Sequence, residues 1–352
     1  MPAEWWFVAL AVLVAVVVLG VVAFVIRRER FAAAAAERLP AGDDDRPLPA
    51  VVVNPTKIAP GTRDRITAVC TGLGWAEPLW LETTVDDPGT GQAATAVDKG
   101  ADVVLACGGD GTVRAVAQAL AGTGVAMGLV PHGTGNLLAK TLGTPLELVP
   151  AVRLALTGDD RPIDVGRVRV DGGEEEHVFL VMAGTGFDAA IMENTPEGLK
   201  SRVGPLAYVV SGLRAMRGSR TRVTLTFDDG EPMRRRTRTV LVGNSGTLLG
   251  GLVLMPRAVI DDGRLDIINL APKGMVGWVA VAARVASRKR RGNERVEHWQ
   301  ARSIVIEADE PQPSQIDGDP VGDASELRMR VEPRVLVVRV ADAEPPVDEE
   351  QR

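Results

Sequence analysis

The five residues Gly108-Gly109-Asp110-Gly111-Thr112 come just after the apolar run at 101–105 and open into an alanine-rich stretch with helical spacing. That order is the layout of a phosphate-holding loop. Glycines let the backbone come close to a polyanion and take positive φ, and the first N–H groups of the following helix point at it. Asp110 adds a carboxylate that either holds Mg2+ through water or orders the loop. A plain Asp-Gly turn between strand and helix is the alternative; two glycines before the aspartate and a threonine behind it favour the phosphate. A second loop, Pro131-His132-Gly133-Thr134-Gly135-Asn136, also follows a strand-like run and opens a helix over 137–142. Either loop alone could be an ordinary turn, but two on neighbouring strands make a double cradle. The chain contains no GxxxxGKS or GxxxxGKT, so it is not a P-loop protein. Gly184, Gly186 and Ala189 spell GxGxxA, but the acid a dinucleotide site needs about 20 residues further on is missing. A tight turn presenting Asp188 is the better reading there.

The elements that must carry these loops alternate. Ala50 to Val53 is a short apolar strand stopped by Asn54-Pro55, because the residue before proline avoids the helical region. Helical spacing runs over 63–73 and 91–99, extended residues over 77–81, and further strands fall at 103 onward and 125–130. Strands alternating with helices predict a parallel α/β sheet with its ligand at the carboxyl ends of the strands. Asn54, the Thr83-Thr84 pair and both glycine loops fall at such ends. Beyond about Pro150 strand-like segments dominate, at 163–170, 177–182, 222–227, 238–242, 265–270, 303–308 and 327–340, with helical spacing only at 205–217 and 275–287. This predicts a mostly antiparallel, β-sandwich-like second domain, with a cleft between two unlike domains. The expected division is an α/β nucleotide-binding domain at 49–148 and a β-rich substrate domain at 149–341.

Composition narrows the class. With 352 residues the chain is long enough for two domains. A net charge of −6 argues against a nucleic-acid partner. Cys70 and Cys107 suggest neither a zinc site nor a disulfide framework. Residues 5–26 are an unbroken apolar run, about 33 Å long as a helix, which predicts a transmembrane helix after an external segment at 1–4. Arg27, Arg28 and Arg30 follow it, which places the rest on the cytoplasmic side of the cell membrane, as a single-pass protein. A linker at 27–48 and an acidic, disordered tail at 342–352 complete the expected layout. The basic residues Arg284, Arg288, Lys289, Arg290 and Arg291 suit either an anionic membrane surface or a solvated helix end. Oligomeric state is not legible, and a homodimer is compatible with all of this.

Taken together, Asn54-Pro55, GGDGT at 108–112, PHGTGN at 131–136, GFDA at 186–189, DDGRLD at 261–266 and Ile316-Asp317-Gly318-Asp319 resemble the diacylglycerol kinase catalytic-domain family, which includes bacterial lipid kinases and the sphingosine and ceramide kinases. GGDGT alone also looks like NAD kinases and phosphofructokinases; the second glycine loop and the late Asp-Gly tilt the resemblance to lipid kinases. The resemblance implies ATP held by Asn54, Pro55, Thr83 or Thr84, Gly108, Gly109, Gly111, Thr112, Gly133, Thr134 and Asn136. It implies catalysis by Asp110 and by Asp317 as proton acceptor, although Asp317-Gly318 also suits a hairpin turn. It further implies a structural Mg2+ site built from the Asp262 side chain and the carbonyls of Val259 and Arg264, and substrate contacts at Asp188 and Asp319. The reaction implied is phosphoryl transfer from ATP to a membrane lipid hydroxyl, with diacylglycerol leading to phosphatidic acid. A kinase of a soluble substrate, like the NAD kinases, and an inactive nucleotide- or lipid-binding module are the alternatives. Two departures stand out: Asp319 replaces the glutamate usual in the family, and Leu137 stands where many relatives carry an aspartate.

Overall fold

The computed structural model describes residues 46–186, 220–246, 255, 257–271 and 296–341. Its first lobe is built on four parallel strands, β1 (Pro49–Val53), β2 (Leu79–Glu82), β3 (Val103–Gly108) and β4 (Ala126–Pro131), in the order β2-β1-β3-β4. Five helices flank them: α1 (Thr62–Gly72), α2 (Thr90–Asp98), α3 (Asp110–Leu120), α4 (Leu137–Thr141) and α5 (Leu148–Thr157). Successive side chains on a strand point to opposite faces, and here both faces are covered. Val52, Val104 and Met127 pack with Ala93 and Ala96 of α2 and Val116 of α3, while Val51, Val103 and Leu105 pack with Ile66 of α1 and Val152 of α5. Burial on both faces is why these strands read as continuous apolar runs rather than alternating ones. It also pushes the Cys107 thiol up to about 12 and that of Cys70 to about 11, leaving both as inert core residues.

Strand order locates the ligand crevice. From β1 the chain moves outward to β2, then returns to place β3 on the other side of β1. The carboxyl ends of β1 and β3 therefore form a topological switch point, where open α/β sheets bind ligands. Asn54 and the Gly108–Thr112 loop leave the sheet there, joined by an Asn54 N–H bond to the Cys107 carbonyl at 3.3 Å.

The second lobe contains β5 (Asp159–Val170), β6 (His177–Phe179), β7 (Met182–Thr185), β8 (Thr221–Phe227), β9 (Met233–Thr237), β10 (Thr239–Gly243), β11 (Leu265–Leu270), β12 (Val296–Ala301), β13 (Ser303–Ile316) and β14 (Asp319–Val340). Their mutual pairings among the described residues are antiparallel. They enclose a core that includes Phe179, Leu225, Leu265 and Ile304. The long β5–β14 ribbon shifts register between Glu332 and Leu336 and continues back into the first lobe, where Ile163, Leu336 and Val338 join the α/β core. Val338 pairs with Met127 of β4, so hydrogen bonding runs through both lobes.

Several expectations are corrected. Helix α5, ahead of the first strand expected at 163–170, adds a helix where helical spacing was expected only at 205–217 and 275–287, and Pro150 sits in its first turn, where no intrahelical N–H is needed. The strand expected over 177–182 is broken at Leu180 and Val181, whose amides turn to a carboxylate described below. Strand β9, Met-Arg-Arg-Arg-Thr, carries no apolar alternation because it is a charged strand that, among the described residues, lies at an edge and pairs with β8 alone. The fold class itself is corrected to an α/β lobe plus a β-sandwich-like lobe. The transmembrane helix expected at 5–26 lies outside the described residues, and among these no helix is long and apolar enough to cross a membrane. The single-pass cell-membrane location is withdrawn with it. The linker up to residue 45, Asp188, the helices expected at 205–217 and 275–287, the basic run at 284–291 and the tail at 342–352 also lie outside the described residues.

Candidate active site

The two glycine loops touch. A Cβ added to Gly133 would lie 2.6 Å from the Gly109 Cα, and backbone cannot yield at that distance. Gly109 caps α3 in an extended conformation, so the first amides of that helix open toward the crevice. Asp110, in the first turn of α3, sends its carboxylate across to the second loop. There it accepts the Asn136 N–H at 2.8 Å and the Leu137 N–H at 2.6 Å. Asn136, itself at positive φ, closes the loop by accepting the Gly133 N–H at 2.9 Å and donating to the Gly133 carbonyl at 2.7 Å. Asp110 thus orders both loops. Burial pushes its carboxyl above the ordinary range, against the pull of the two amides. At position 137 it is the main-chain N–H, not the leucine side chain, that enters this network.

Asn54 accepts the Thr56 N–H at 3.0 Å and the Thr56 hydroxyl at 2.7 Å, a local turn that brings Lys57 over the crevice. The Lys57 ammonium stands 3.4 Å from where a Gly109 Cβ would be. Lysine at this position carried no signal in the sequence, where one more lysine in a loop reads as solvated surface. Thr83 is buried and its N–H bonds the Val53 carbonyl at 2.9 Å, while exposed Thr84 accepts the Asp87 N–H on its hydroxyl at 3.0 Å. Pro55 and Thr134 are exposed beside the loops, and Thr112 is buried under Gly108.

The hairpin between β13 and β14 brings the other lobe to this crevice. Its two central residues, Asp317 and Gly318, have φ of 49° and 90°, the mirror-image turn that matches strand twist. Asp317 is 5% exposed, and its carboxylate accepts three backbone N–H groups, from Leu180 at 2.9 Å, Val181 at 2.8 Å and Met182 at 3.0 Å. Burial pushes its carboxyl up, with Arg114 and the three amides pulling the other way. In this structure the Asp317 carboxylate is turned into the protein and bonded to backbone amides. Asp319 points the other way. Its side chain is 52% exposed, and its Oδ2 lies 3.5 Å from where a Gly111 Cβ would be, directly over the first glycine loop. Arg114 of α3 holds it at 2.7 Å.

The two-lobe architecture agrees with what comparison with known proteins shows. The family model described as the diacylglycerol kinase catalytic domain matches residues 51–168, and that of the YegS C-terminal NAD kinase beta sandwich-like domain matches 181–340. The chain is 35% identical to the Probable lipid kinase YegS-like of Pseudomonas aeruginosa over 271 residues, covering 73% of this chain and 82% of that one. It is 31% identical to the protein of the same name from Klebsiella pneumoniae, over 68% of this chain and 78% of that one. The chain belongs to the diacylglycerol kinase catalytic-domain family. A crystal structure of a diacylglycerol kinase from Bacillus anthracis str. Sterne superposes with a TM-score of 0.66 at 22% identity, covering 85% of this chain and 98% of that one, which shows the shared fold.

As a member of that family the chain is a kinase, and its phosphoryl donor is ATP. The crevice fits a triphosphate: two glycine-lined backbone stretches in contact, the amino end of an 11-residue helix and one ammonium group face the same place. Among the described residues no three His, Cys, Asp or Glu side chains come together to hold a metal ion. The site expected at Asp262 draws on a single carboxylate. Its Oδ1 accepts the Arg264 N–H at 3.0 Å, and Val259 is half exposed nearby in sequence. The Asp262 carboxyl is raised by burial and then by repulsion from Asp266 and Asp164. Asp164, which the sequence reading passed over inside a strand, fastens this segment. Wholly buried, it accepts the Gly263 N–H at 2.6 Å and the Arg334 N–H at 2.8 Å.

Proposed function

We propose that this lipid kinase transfers the γ-phosphoryl group of ATP to the free hydroxyl of diacylglycerol, giving phosphatidic acid and ADP. The observation that carries the reading is the Asp319 carboxylate, delivered by the second lobe to a point above the GGDGT loop of the first. Phosphoryl transfer needs little covalent chemistry from the protein. It needs the acceptor oxygen in line with the γ-phosphorus and a group that takes the hydroxyl proton as the new O–P bond forms. The glycine loops, the amino end of α3 and Lys57 hold the triphosphate. Asp319 accepts the proton on Oδ1, because Oδ2 is occupied by Arg114. Asp317, in this reading, shapes the hairpin that presents Asp319.

Mg2+, when bound, neutralises charge on the β- and γ-phosphate oxygens. Asp110 serves the phosphates by keeping the two loops together. The second, structural Mg2+ remains assigned to Asp262 with the carbonyls of Val259 and Arg264, where a cation would relieve the repulsion among Asp262, Asp266 and Asp164. Diacylglycerol is favoured by the family description, and the names of the sequence relatives support a lipid acceptor. The lipid would be met at an anionic bilayer surface, with the basic run at 284–291 and Asp188 as candidate contacts.

The test is a transfer assay with γ-labelled ATP and the purified full chain, offering diacylglycerol, sphingosine, ceramide and NAD in parallel. Label in phosphatidic acid is the expected result. Label in a sphingolipid would change the acceptor while keeping the kinase, and label in NADP with none in any lipid would overturn the reading.

A further inference from the structure

We infer that Arg114 is a positioning residue that sets where the Asp319 carboxylate stands relative to the phosphate cradle; this rests on the reading of Asp319 as the proton acceptor. One guanidinium makes two bonds to the hairpin. Nη1 donates to the Ile316 carbonyl at 2.7 Å and Nη2 to Asp319 Oδ2 at 2.7 Å. The fork therefore grips the last residue of β13 and the first of β14, on both sides of the turn. Planar geometry makes arginine suited to such a two-point hold, and lysine, a single point charge, could make only one of the bonds well.

The position of Arg114 on α3 gives the grip its meaning. Asp110 and Arg114 are four residues apart and share a helix face. Asp110 fastens the second glycine loop, and Arg114 fastens the hairpin of the other lobe. A single turn of one rigid helix thus ties together both phosphate loops and the proposed proton acceptor. The distance from cradle to carboxylate is then fixed by that turn. Without it, the distance would depend on how the lobes happen to sit.

Asp319 needs such help more than a longer acid would. Its side chain is short, stands at the first residue of a strand and is 52% exposed, whereas the Arg114 side chain is 22% exposed. Released from the guanidinium, the carboxylate would turn toward water. Held by it, Oδ2 is occupied, and no donor among the described residues reaches Oδ1, the oxygen left to take a proton. Arg114 also counters the crowding of negative charge, since Asp110 and Asp319 repel each other and Arg114 pulls on Asp317 as well.

The experiment compares wild type, Arg114→Ala, Arg114→Lys, Asp319→Asn and the double variant Arg114→Ala/Asp319→Glu in the lipid assay, with ADP affinity measured separately by calorimetry. Arg114→Ala is expected to lower kcat about a hundredfold, the typical result of misplacing a reacting group by about 1 Å. Its ADP affinity should stay within about twofold of wild type, because the guanidinium faces the hairpin and not the loops. Arg114→Lys should fall between, and it also serves if the alanine variant does not fold. The double variant should recover activity over Arg114→Ala, since the extra methylene of glutamate restores reach, a rescue that a merely structural arginine would not show. Wild-type kcat in Arg114→Ala together with an inactive Asp319→Asn would sink the role of Arg114 alone. Full activity in Asp319→Asn would sink the proton-acceptor reading beneath it. Parallel loss of kcat and ADP affinity in every Arg114 variant, without rescue, would make the residue a lobe clamp and nothing more.

Discussion

Asp317 and Asp319 flank a single glycine on one hairpin, and both feel Arg114, yet their hydrogen-bond partners differ. Asp317 is buried under three amide donors from residues 180–182, while Asp319 projects half-exposed over the GGDGT loop and, among the described residues, meets the Arg114 guanidinium. The turn explains the divergence. Two consecutive positive φ values fold the backbone back on itself, so residues on either side of Gly318 face different lobes. Two carboxylates two residues apart can therefore take different parts, one holding the second lobe's backbone in shape and the other, on the reading proposed above, facing the chemistry. Backbone donors take up the oxygens of Asp317, whereas the Asp319 side chain stays 52% exposed above the first glycine loop.

Neutralising each carboxylate in turn separates their roles. Asp319→Asn should lower kcat by about 10²–10⁴, the usual contribution of a positioned general base, with the melting temperature nearly unchanged. If phosphatidic acid formed at the parental rate, Asp319 would have no part in the proton transfer. Asp317→Ala should instead reduce stability, since three buried N–H groups lose their acceptor, each worth roughly 1–3 kcal/mol. Urea unfolding would show a loss of about 3 kcal/mol or more, and in conditions where the variant is folded its kcat should fall far less than that of Asp319→Asn. The reverse pattern, a stable Asp317→Ala with no turnover, would return the acceptor role to Asp317.

Much of the fold was legible because its signals are local. The β1 run stopped by Asn54-Pro55, the two glycine loops and the alternation of strand and helix follow from proline, glycine and apolar periodicity alone. The hairpin was legible too, and the resemblance implied a proton acceptor in Asp317 and a substrate contact in Asp319, but not what either carboxylate touches. A carboxylate's role depends on what lies across from it, and Leu180 to Met182 are more than a hundred residues away in the chain. Arg114 was invisible for the same reason, since its partners Ile316 and Asp319 lie on another lobe. Lys57, three residues past Asn54, looked like surface, and its proximity to Gly109 is a matter of how β1 and β3 end side by side. Helix α5 was missed because proline reads as a breaker unless its place in the first turn is known.

A smaller effect sharpens the contrast between the lobes. Gly133→Ala would place a Cβ 2.6 Å from the Gly109 Cα, in a contact made by backbone on both sides. The loops must then part, at an overpacking cost of roughly 1–3 kcal/mol. The expected outcome is a rise of about tenfold in KM for ATP with a smaller change in kcat, because the cradle is damaged and the hairpin is not. An unchanged KM for ATP would show that the two loops need not touch to hold the nucleotide.

The smallest effect concerns pH and decides which force dominates at Asp110. Burial raises its carboxyl above the ordinary carboxylate range, while the Asn136 and Leu137 amides favour the charged form and oppose that rise. With the folded value above the unfolded one, the native protein holds a proton that the unfolded chain has already released. The stability this gives is fully present below the unfolded pKa and is lost as pH rises through the raised folded value. Unfolding free energies measured over a pH series should therefore decline through that window in the parent, and Asp110→Asn, which cannot titrate, should lack this part of the slope. A parent that instead gains stability relative to Asp110→Asn as pH rises through the window would mean that the two amides outweigh burial. Asp110 would then be a carboxylate kept charged by its amide donors, unlike the buried Asp317.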